Sequence, residues 1–118
     1  MDSILITIKK LLGINNSYTQ FDDDIIVFIN SAFSILRQLG VGPKEGFSIS
    51  DDSSTWSDFI SGDPARLRLV RAYIYMKVRL MFDPPQQSAL LESMRRQVDE
   101  FEWRLNVEVD PEERRNEE

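Results

Sequence analysis

The chain has 118 residues, of which 42% are hydrophobic and 10% aromatic. This length and apolar content suit one folded domain and exclude a chain that is disordered throughout. The sequence contains no Cys and no His. Zinc fingers, haem and iron–sulfur ligation, cysteine nucleophiles and Ser-His-Asp catalysis therefore each lack an essential group.

The charge balance and hydropathy exclude further classes of protein. Fourteen Lys and Arg residues against 20 Asp and Glu give a net charge of −6. Because duplex-binding domains neutralise phosphates with a basic excess, DNA binding is not predicted as the main task. The longest apolar runs, Ile25–Ile29 and Ala72–Met76, are too short to span a bilayer, and no signal peptide is predicted. We expect a protein that is made in the cytoplasm and does not enter a membrane.

The first helix is predicted over Ser3–Leu12. Ser3 suits the N-cap position, the apolar residues repeat at helical spacing, and Gly13 follows the last turn. The segment also contains four β-branched residues, which leave a strand as the alternative.

The second helix is predicted from Asp22, as the N-cap, to Leu39, and Gly40 ends it. Three consecutive aspartates, Asp22–Asp24, suggest a metal site, but adjacent helical positions point in different directions. We therefore interpret them as favourable charges at the positive end of the helix dipole. The apolar residues of one face are Ile25, Ile29, Ala32, Phe33, Leu36 and Leu39.

Residues 41–62 form a long connection rich in Gly, Ser and Asp. A short helix is predicted over Ser54–Ile60, with its apolar side chains buried. Two interpretations stay open: a loop held to the core by those side chains, or a projecting surface that binds a partner. The candidate partner-binding residues of this segment are Phe47, Trp56 and Phe59.

The third long helix begins with Asp63 as N-cap and Pro64 as the first helical residue, and it ends before Asp83-Pro84-Pro85. It has two apolar sectors, so it is either the central helix of a bundle or a helix shared between the core and a subunit contact. One sector contains Leu67, Val70, Ile74, Val78 and Met81. The other, which supplies the candidate subunit contacts, contains Leu69, Tyr73, Met76 and Leu80.

This third helix is also the basic part of the chain, since residues 61–82 hold five Lys or Arg and one acid. A positive strip for nucleic acid or an acidic neighbour is one interpretation. The other is that the long side chains are solvated and cover apolar surface with their stems. The five charges fall on two faces of the helix, which favours the second interpretation.

The fourth helix is predicted from Ser88, as N-cap, to about Leu105, with ion pairs at Glu92–Arg96 and Glu100–Arg104. The apolar stripe of this helix consists of Leu91, Met94, Val98, Phe101 and Leu105. Trp103 lies off this stripe and is a candidate partner anchor. We predict a helical domain over 1–105 and an acidic tail or arm over 106–118. The candidate partner-binding residues of the tail are Asp110, Glu112, Arg114 and Arg115.

No catalytic or cofactor-binding pattern is found. The acids occupy caps and polar loops, without the apolar surroundings that separate the pKa values of a catalytic pair. Gly40–Lys44 lacks the spacing of a phosphate-binding loop and has no strand before it. The sequence therefore predicts an all-α bundle of about four helices that is not an enzyme and needs no metal or cofactor.

Several stretches form a recognisable series along the chain. They are Leu11-Leu12-Gly13, Phe21-Asp22 through Leu39-Gly40, Val41-Gly42-Pro43, Gly46–Ser50, Ser54–Ile60, Tyr73–Pro85 and Glu102–Asn106. Over about residues 1–110 this series resembles the small head–tail connector (adaptor) proteins of tailed bacteriophages. The most specific part of the resemblance is two short motifs, Phe82-Asp83-Pro84-Pro85 and Glu102-Trp103-Arg104-Leu105.

The resemblance implies a structural role in the virion. Such adaptors form a ring, dodecameric in the family, beneath the portal, where they extend the DNA channel and offer a docking surface to the next component. The implied partners are the portal protein, neighbouring copies of the chain, and a downstream connector, stopper or tail protein, while DNA passes without sequence-specific binding. The alternative is a small cytosolic helical regulator that binds a partner protein, or nucleic acid through the basic residues of 66–79.

Overall fold

Five helices make up most of residues 3–107, the part of the chain that the computed structural model describes. They are α1 (Ile4–Leu11), α2 (Asp22–Gln38), α3 (Trp56–Phe59), α4 (Pro64–Phe82) and α5 (Ser88–Val107). Four of the five helices have at least eight residues, and α3 is a single turn. The described residues contain no β-strand, and an isolated bridge pairs Ser3 with Thr55. The predicted all-α class is confirmed.

α1 has the ends that its sequence predicts. The Ser3 hydroxyl accepts a hydrogen bond from the Ile6 backbone N–H at 3.3 Å, and Gly13 follows the helix with a φ of +81°. A hydroxyl at the N-cap and a left-handed glycine after the last turn satisfy backbone groups that the helix leaves unpaired. The alternative of a strand over this segment is wrong.

α2 begins one residue earlier than a capping Asp22 would require. The N-cap is Phe21, which makes no side-chain cap, and Asp22 is the first helical residue. The predicted cap at Asp22 is therefore wrong, because its carboxylate forms an ion pair with the buried Lys9, with 2.8 Å between Nζ and Oδ1. The predicted core face is confirmed, with Ile25, Ile29, Ala32, Phe33 and Leu36 buried and Leu39 half-buried.

α4 is the central helix of the bundle and packs against α1, α2 and α5. The Asp63 carboxylate accepts hydrogen bonds from the backbone N–H groups of Ala65 and Arg66 at 3.1 and 3.2 Å. Pro64 follows as the first helical residue, where its missing N–H costs no hydrogen bond. Both predicted ends of this helix are confirmed.

α5 lies against α4 and has little contact with the other helices. It starts at Ser88, not after it, since the Leu91 backbone N–H donates to the Gln87 carbonyl at 2.9 Å. Ser88 is thus the first helical residue, and the prediction of a Ser88 cap is wrong. The helix continues to Val107, past the predicted domain boundary at 105.

Candidate partner-binding surfaces

Side chains of α2 hold the connection between α2 and α3 against that helix by hydrogen bonds to its backbone. Asn30 makes two hydrogen bonds to Ile49: its Nδ2 donates to the carbonyl at 2.9 Å, and its Oδ1 accepts from the N–H at 2.8 Å. Arg37 Nε donates to the Lys44 carbonyl at 2.8 Å. Because Ile49 is also buried, the loop follows the bundle surface, which favours the interpretation of a loop held to the core.

Two of the three predicted partner-binding aromatics of this loop are core residues. Trp56 is buried, and its Nε1 donates to Thr7 Oγ1 at 3.1 Å while the Arg71 guanidinium lies 5.6 Å from its ring centre. Phe59 is buried, and Phe47 is half-buried against it with 5.3 Å between ring centroids. The exposed side chains of the loop are polar and belong to Lys44, Glu45, Ser48, Ser50, Asp51, Asp52 and Ser53.

The tip of this polar segment is an acidic turn. Asp51 Oδ1 accepts hydrogen bonds from the Ser53 hydroxyl and from the Ser53 backbone N–H, at 2.5 and 2.8 Å. These two hydrogen bonds, the hydroxyl first, hold the pKa of the Asp51 carboxyl below its ordinary value. Asp51 therefore keeps its charge while it shapes the turn, an arrangement typical of an Asx turn.

Both apolar sectors of α4 are largely covered by helices of the same chain. In the sector predicted to contact another subunit, Tyr73 and Met76 are buried, while Leu69 and Leu80 are half-buried. The structure therefore places α4 as the central helix of a single bundle. Its two-sided apolar pattern does not by itself require a neighbouring subunit, and Leu69 and Leu80 are the members of the sector that keep accessible surface.

A polar contact is built into this interface between α4 and α5. The Tyr73 hydroxyl donates to Glu102 Oε2 at 2.8 Å, and Lys77 Nζ lies 3.7 Å from the same oxygen. Burial, then the hydrogen bond and the negative charge of Glu102, raise the pKa of Tyr73 well above its ordinary value. The phenol stays protonated and fixes the position of α5 along α4.

Several basic residues of α4 are engaged within their own chain. Lys77 lies near Glu102, Arg71 lies over Trp56, and an Arg79 terminal nitrogen donates to the Tyr75 hydroxyl at 3.1 Å. Arg68 is exposed and takes part in none of the ion pairs within residues 3–107. These contacts favour solvated side chains with structural roles over a continuous strip for nucleic acid.

Among residues 3–107, Trp103 is the most exposed of the large apolar side chains, at 67%. It lies on the face of α5 opposite the buried Val98 and Leu105, next to the exposed Val107. The predicted ion pair Glu100–Arg104 is present at 3.0 Å, whereas Glu92 and Arg96 form no ion pair within residues 3–107. The predicted tail residues Asp110, Glu112, Arg114 and Arg115 lie outside the described residues.

Four rings form an exposed surface that the sequence reasoning missed. This aromatic patch consists of Tyr18, Phe21, Phe28 and Phe82, at the N-terminal end of α2 and the C-terminal end of α4. Ring centroids are 5.6 Å apart for Tyr18–Phe21, 5.3 Å for Phe21–Phe82 and 6.4 Å for Phe28–Phe82. Tyr18 is 45% and Phe21 36% exposed. The sequence signal was the spacing of Phe21 and Phe28, seven residues apart at the edge of the core face.

An apolar cavity of about 310 Å³ opens at the other end of α4. This α3–α4 cavity is walled by Ile60, Pro64 and Leu67, and Ser57, Ser61 and Asp63 also line it. A second cavity, of about 400 Å³, lies beside the end of α1, at Lys10 and Ile14. Within residues 3–107, no three Cys, His, Asp or Glu side chains come together as a metal site would require.

The fold and these surfaces define a small helical domain whose exposed features are aromatic, apolar and charged groups suited to protein contacts. A family model described as "Phage connector protein" matches residues 4–112. The chain therefore belongs to the phage connector protein family, and the resemblance noted from the sequence is confirmed. Neither the curated proteins nor the solved structures contain a significant match to the chain. Among the described helices, none has the length and apolar content to cross a bilayer.

Proposed function

We propose that this protein is a structural component of the phage virion. It forms a ring, of twelve copies as in the family, under the portal, and it joins the capsid vertex to the next connector, stopper or tail component around the DNA channel. The role is one of assembly without catalysis. It is carried out at the head–tail interface after synthesis in the host cytoplasm.

The observation that carries this proposal is the family match, which spans residues 4–112 and so includes every helix of the bundle. A connector must contact partners on several sides, and exposed apolar groups lie at well-separated places on this domain. They include Trp103 on α5 and Tyr18 and Phe21 in the aromatic patch. Large side chains of this kind are the usual anchors of protein interfaces.

The charge distribution is compatible with a channel through which DNA slides. Residues 3–107 contain 12 Lys or Arg and 13 Asp or Glu, so most of the net negative charge comes from residues 108–118. A nearly neutral body offers few groups to bind the phosphate backbone tightly, whereas a basic lining would add affinity and slow the passage of DNA. DNA would therefore pass without sequence-specific contacts.

The proposed partner contacts fall on three regions. The polar loop after α2, with Phe47 at its base, would face a neighbouring ring or the channel, while Trp103 and the charged residues from Asp110 onward would reach the portal or an adjacent copy. Trp56 and Phe59 support the loop from within, since both are buried. Leu69 and Leu80 would border a neighbouring copy.

Electron microscopy of purified particles that contain this protein tests the proposal. We expect a ring of its density at the capsid vertex, between portal and tail. The helical regulator, the alternative function, predicts a different outcome: no ring in particles, and salt-sensitive DNA binding by the purified chain that weakens when Arg68 is replaced. That combination would overturn the proposed role.

A further inference from the structure

α4 has a protruding apolar surface at one end and a hollow one at the other. The aromatic patch surrounds its C-terminal residue, Phe82, whereas the α3–α4 cavity is walled by Pro64 and Leu67 in its first turn. At 1.5 Å per residue, the 19 residues of α4 separate the two by about 28 Å. The two surfaces therefore do not meet within one copy.

The aromatic patch has an acidic rim. Asp24 lies three residues after Phe21 and four before Phe28, so it borders both on the surface of α2. Asp83 directly follows Phe82. Both aspartates are exposed, and neither forms an ion pair within residues 3–107.

The α3–α4 cavity has a basic neighbour. Arg68 follows Leu67 and lies one turn beyond Pro64, so it stands at the margin of the cavity with its charge exposed. Two carboxylates of α3 and the start of α4 already act in helix caps: Asp63 accepts from two backbone N–H groups at the start of α4, and Asp58 accepts from the Thr55 N–H at 2.8 Å.

We propose that these two surfaces bind each other between copies of the chain: the aromatic patch of one copy inserts Tyr18 into the α3–α4 cavity of the next, with its acidic rim facing Arg68. This inference rests on the proposed ring and names the surfaces that join its subunits. Tyr18 is the most exposed ring of the patch and lies in the connection before α2, where it can project. A cavity of about 310 Å³ accommodates an aromatic side chain.

Charge favours this pairing over contact between two identical patches. Two aromatic patches face to face would bring the carboxylates of Asp24 and Asp83 from both copies together, and like charges at an interface oppose association. A contact between two different surfaces is heterologous, and repeated contacts of that kind close into a ring when the rotation between copies allows it. Each copy offers one aromatic patch and one α3–α4 cavity, as a ring requires.

Because the chain has no cysteine, disulfide cross-linking tests the contact directly. Gln20→Cys places a thiol beside Tyr18, and Ser61→Cys places one in the cavity lining; both positions are exposed. The two single variants are mixed and oxidised, as concentrated purified protein and in particles assembled from the mixture. We expect the 20–61 dimer in at least one of these settings, at tenfold or higher yield over the matched pair Ser48→Cys with Ser61→Cys.

The outcomes separate this inference from the proposed function. Equal yields for the two pairs, predominance of 20–20 or 61–61 dimers, or no 20–61 dimer in either setting would overturn the inference, even if microscopy shows the ring. A 20–61 dimer in a protein that forms no ring in particles would overturn the proposed function and leave the contact standing.

Charge reversal supplies a second, independent test. Arg68→Asp in the Ser61→Cys variant should lower the 20–61 yield at least fivefold, because Asp24 and Asp83 then face a carboxylate. Asp24→Arg in the Gln20→Cys variant should restore the yield against that partner. An unchanged yield with Arg68→Asp alone would contradict the proposed pairing of rim and cavity.

Discussion

Lys9 Nζ lies 2.8 Å from Asp22 Oδ1, and the lysine side chain is almost completely removed from solvent. The same nitrogen donates to the carbonyls of Asn16 and Tyr18 at 3.1 and 2.8 Å. One ammonium group thus joins α1, the connection after it and the first turn of α2. A buried charge with two hydrogen bonds and an ion pair of this kind is costly to disrupt, because the carboxylate and both carbonyls then lose their partner.

The first prediction concerns this lysine. Lys9→Met retains the apolar stem but leaves Asp22 and two carbonyls without their donor, so the free energy of unfolding should fall by about 3 kcal/mol. Urea denaturation followed by circular dichroism measures the change. Lys10→Met is the matched control: Lys10 is exposed, and its replacement should change stability by less than about 0.5 kcal/mol. Similar losses for the two variants would contradict the structural role of Lys9.

Gly42 supplies the second prediction. It has a φ of +90°, and a Cβ at this position would overlap the Phe59 ring. Gly42→Ala should therefore combine backbone strain of about 1–2 kcal/mol with a further 1–3 kcal/mol, roughly, from overpacking.

Gly13→Ala separates the two contributions to the Gly42 effect. Gly13 has a similar φ of +81°, but a Cβ there would meet no atom within 4 Å. Its replacement should show the backbone strain alone. Thermal unfolding of the two variants side by side gives the difference, and an equal loss of stability would mean that the loop does not press against Phe59.

The third prediction concerns Tyr73 and its pH dependence. Its pKa is raised in the folded protein, so the unfolded chain, with an ordinary value of about 10, ionises first. The stabilisation from the neutral phenol is complete below pH 10, approximately, and is lost as the pH rises above it. The free energy of unfolding of the wild type should thus fall more steeply in alkali than that of Tyr73→Phe. At pH 7 the Tyr73→Phe variant should be less stable than the wild type by about 1 kcal/mol, because it lacks the hydrogen bond to Glu102.

Denaturant titrations at several alkaline pH values, with tyrosinate absorbance as a second signal, check this behaviour. Tyr18→Phe serves as the control, since Tyr18 is exposed and its hydroxyl contacts the exposed Gln20. Parallel stability curves for wild type and Tyr73→Phe would show that Glu102 does not hold the phenol as described.

The fourth prediction tests the proposed role of the charged end of the chain. Removal of Asp110–Glu118 takes away five acids and two arginines but none of the described helices. The truncated chain should keep its helical circular dichroism spectrum and its unfolding midpoint, while its attachment to heads that contain the portal should fall. Attachment at the wild-type level, measured by co-sedimentation with such heads, would contradict this role.

The fifth prediction addresses the loop after α2. If its polar segment faces a neighbouring ring or the channel, the exposed residues around Asp51 should gain protection from hydrogen exchange on assembly. The backbone N–H of Ile49, which is already bound to Asn30, should exchange slowly in both states. Mass spectrometry of free and assembled protein measures both. Identical exchange around Asp51 in the two states would argue against a contact there.

The sequence was most informative where a structural signal is local. Ser3, Asp63 and Gly13 mark helix ends because each acts on backbone groups within one turn, and the structure has all three in those roles. The apolar stripes of α2 and α5 were likewise visible from spacing alone. The caps predicted at Asp22 and Ser88 were wrong by one position: both residues are the first of their helices, and the Asp22 carboxylate pairs with Lys9 instead.

What could not be predicted depends on residues that are far apart in the chain. Lys9 lies in the last turn of α1, where a basic residue suits the helix dipole, but tertiary packing buries it against Asp22. The same holds for the aromatic patch, which exists because the end of α4 brings Phe82 beside Phe21. The burial of the second apolar sector of α4 also depends on tertiary packing. The periodicity of that helix cannot distinguish a neighbouring helix in the same chain from one in another chain.

α5 is attached mainly to α4, and its Asn106 Nδ2 also donates to the Leu39 carbonyl at the end of α2, at 3.3 Å. α1, α2 and the loop hold one another through Lys9, Asn30 and Trp56, so none of them can separate without exposing core residues. α5 packs chiefly against α4, and the Tyr73–Glu102 hydrogen bond joins the two helices. Since most of its contacts are with one helix, α5 is the long helix that we expect to open first in hydrogen exchange, and its opening would uncover the core residues Tyr73, Val98 and Leu105.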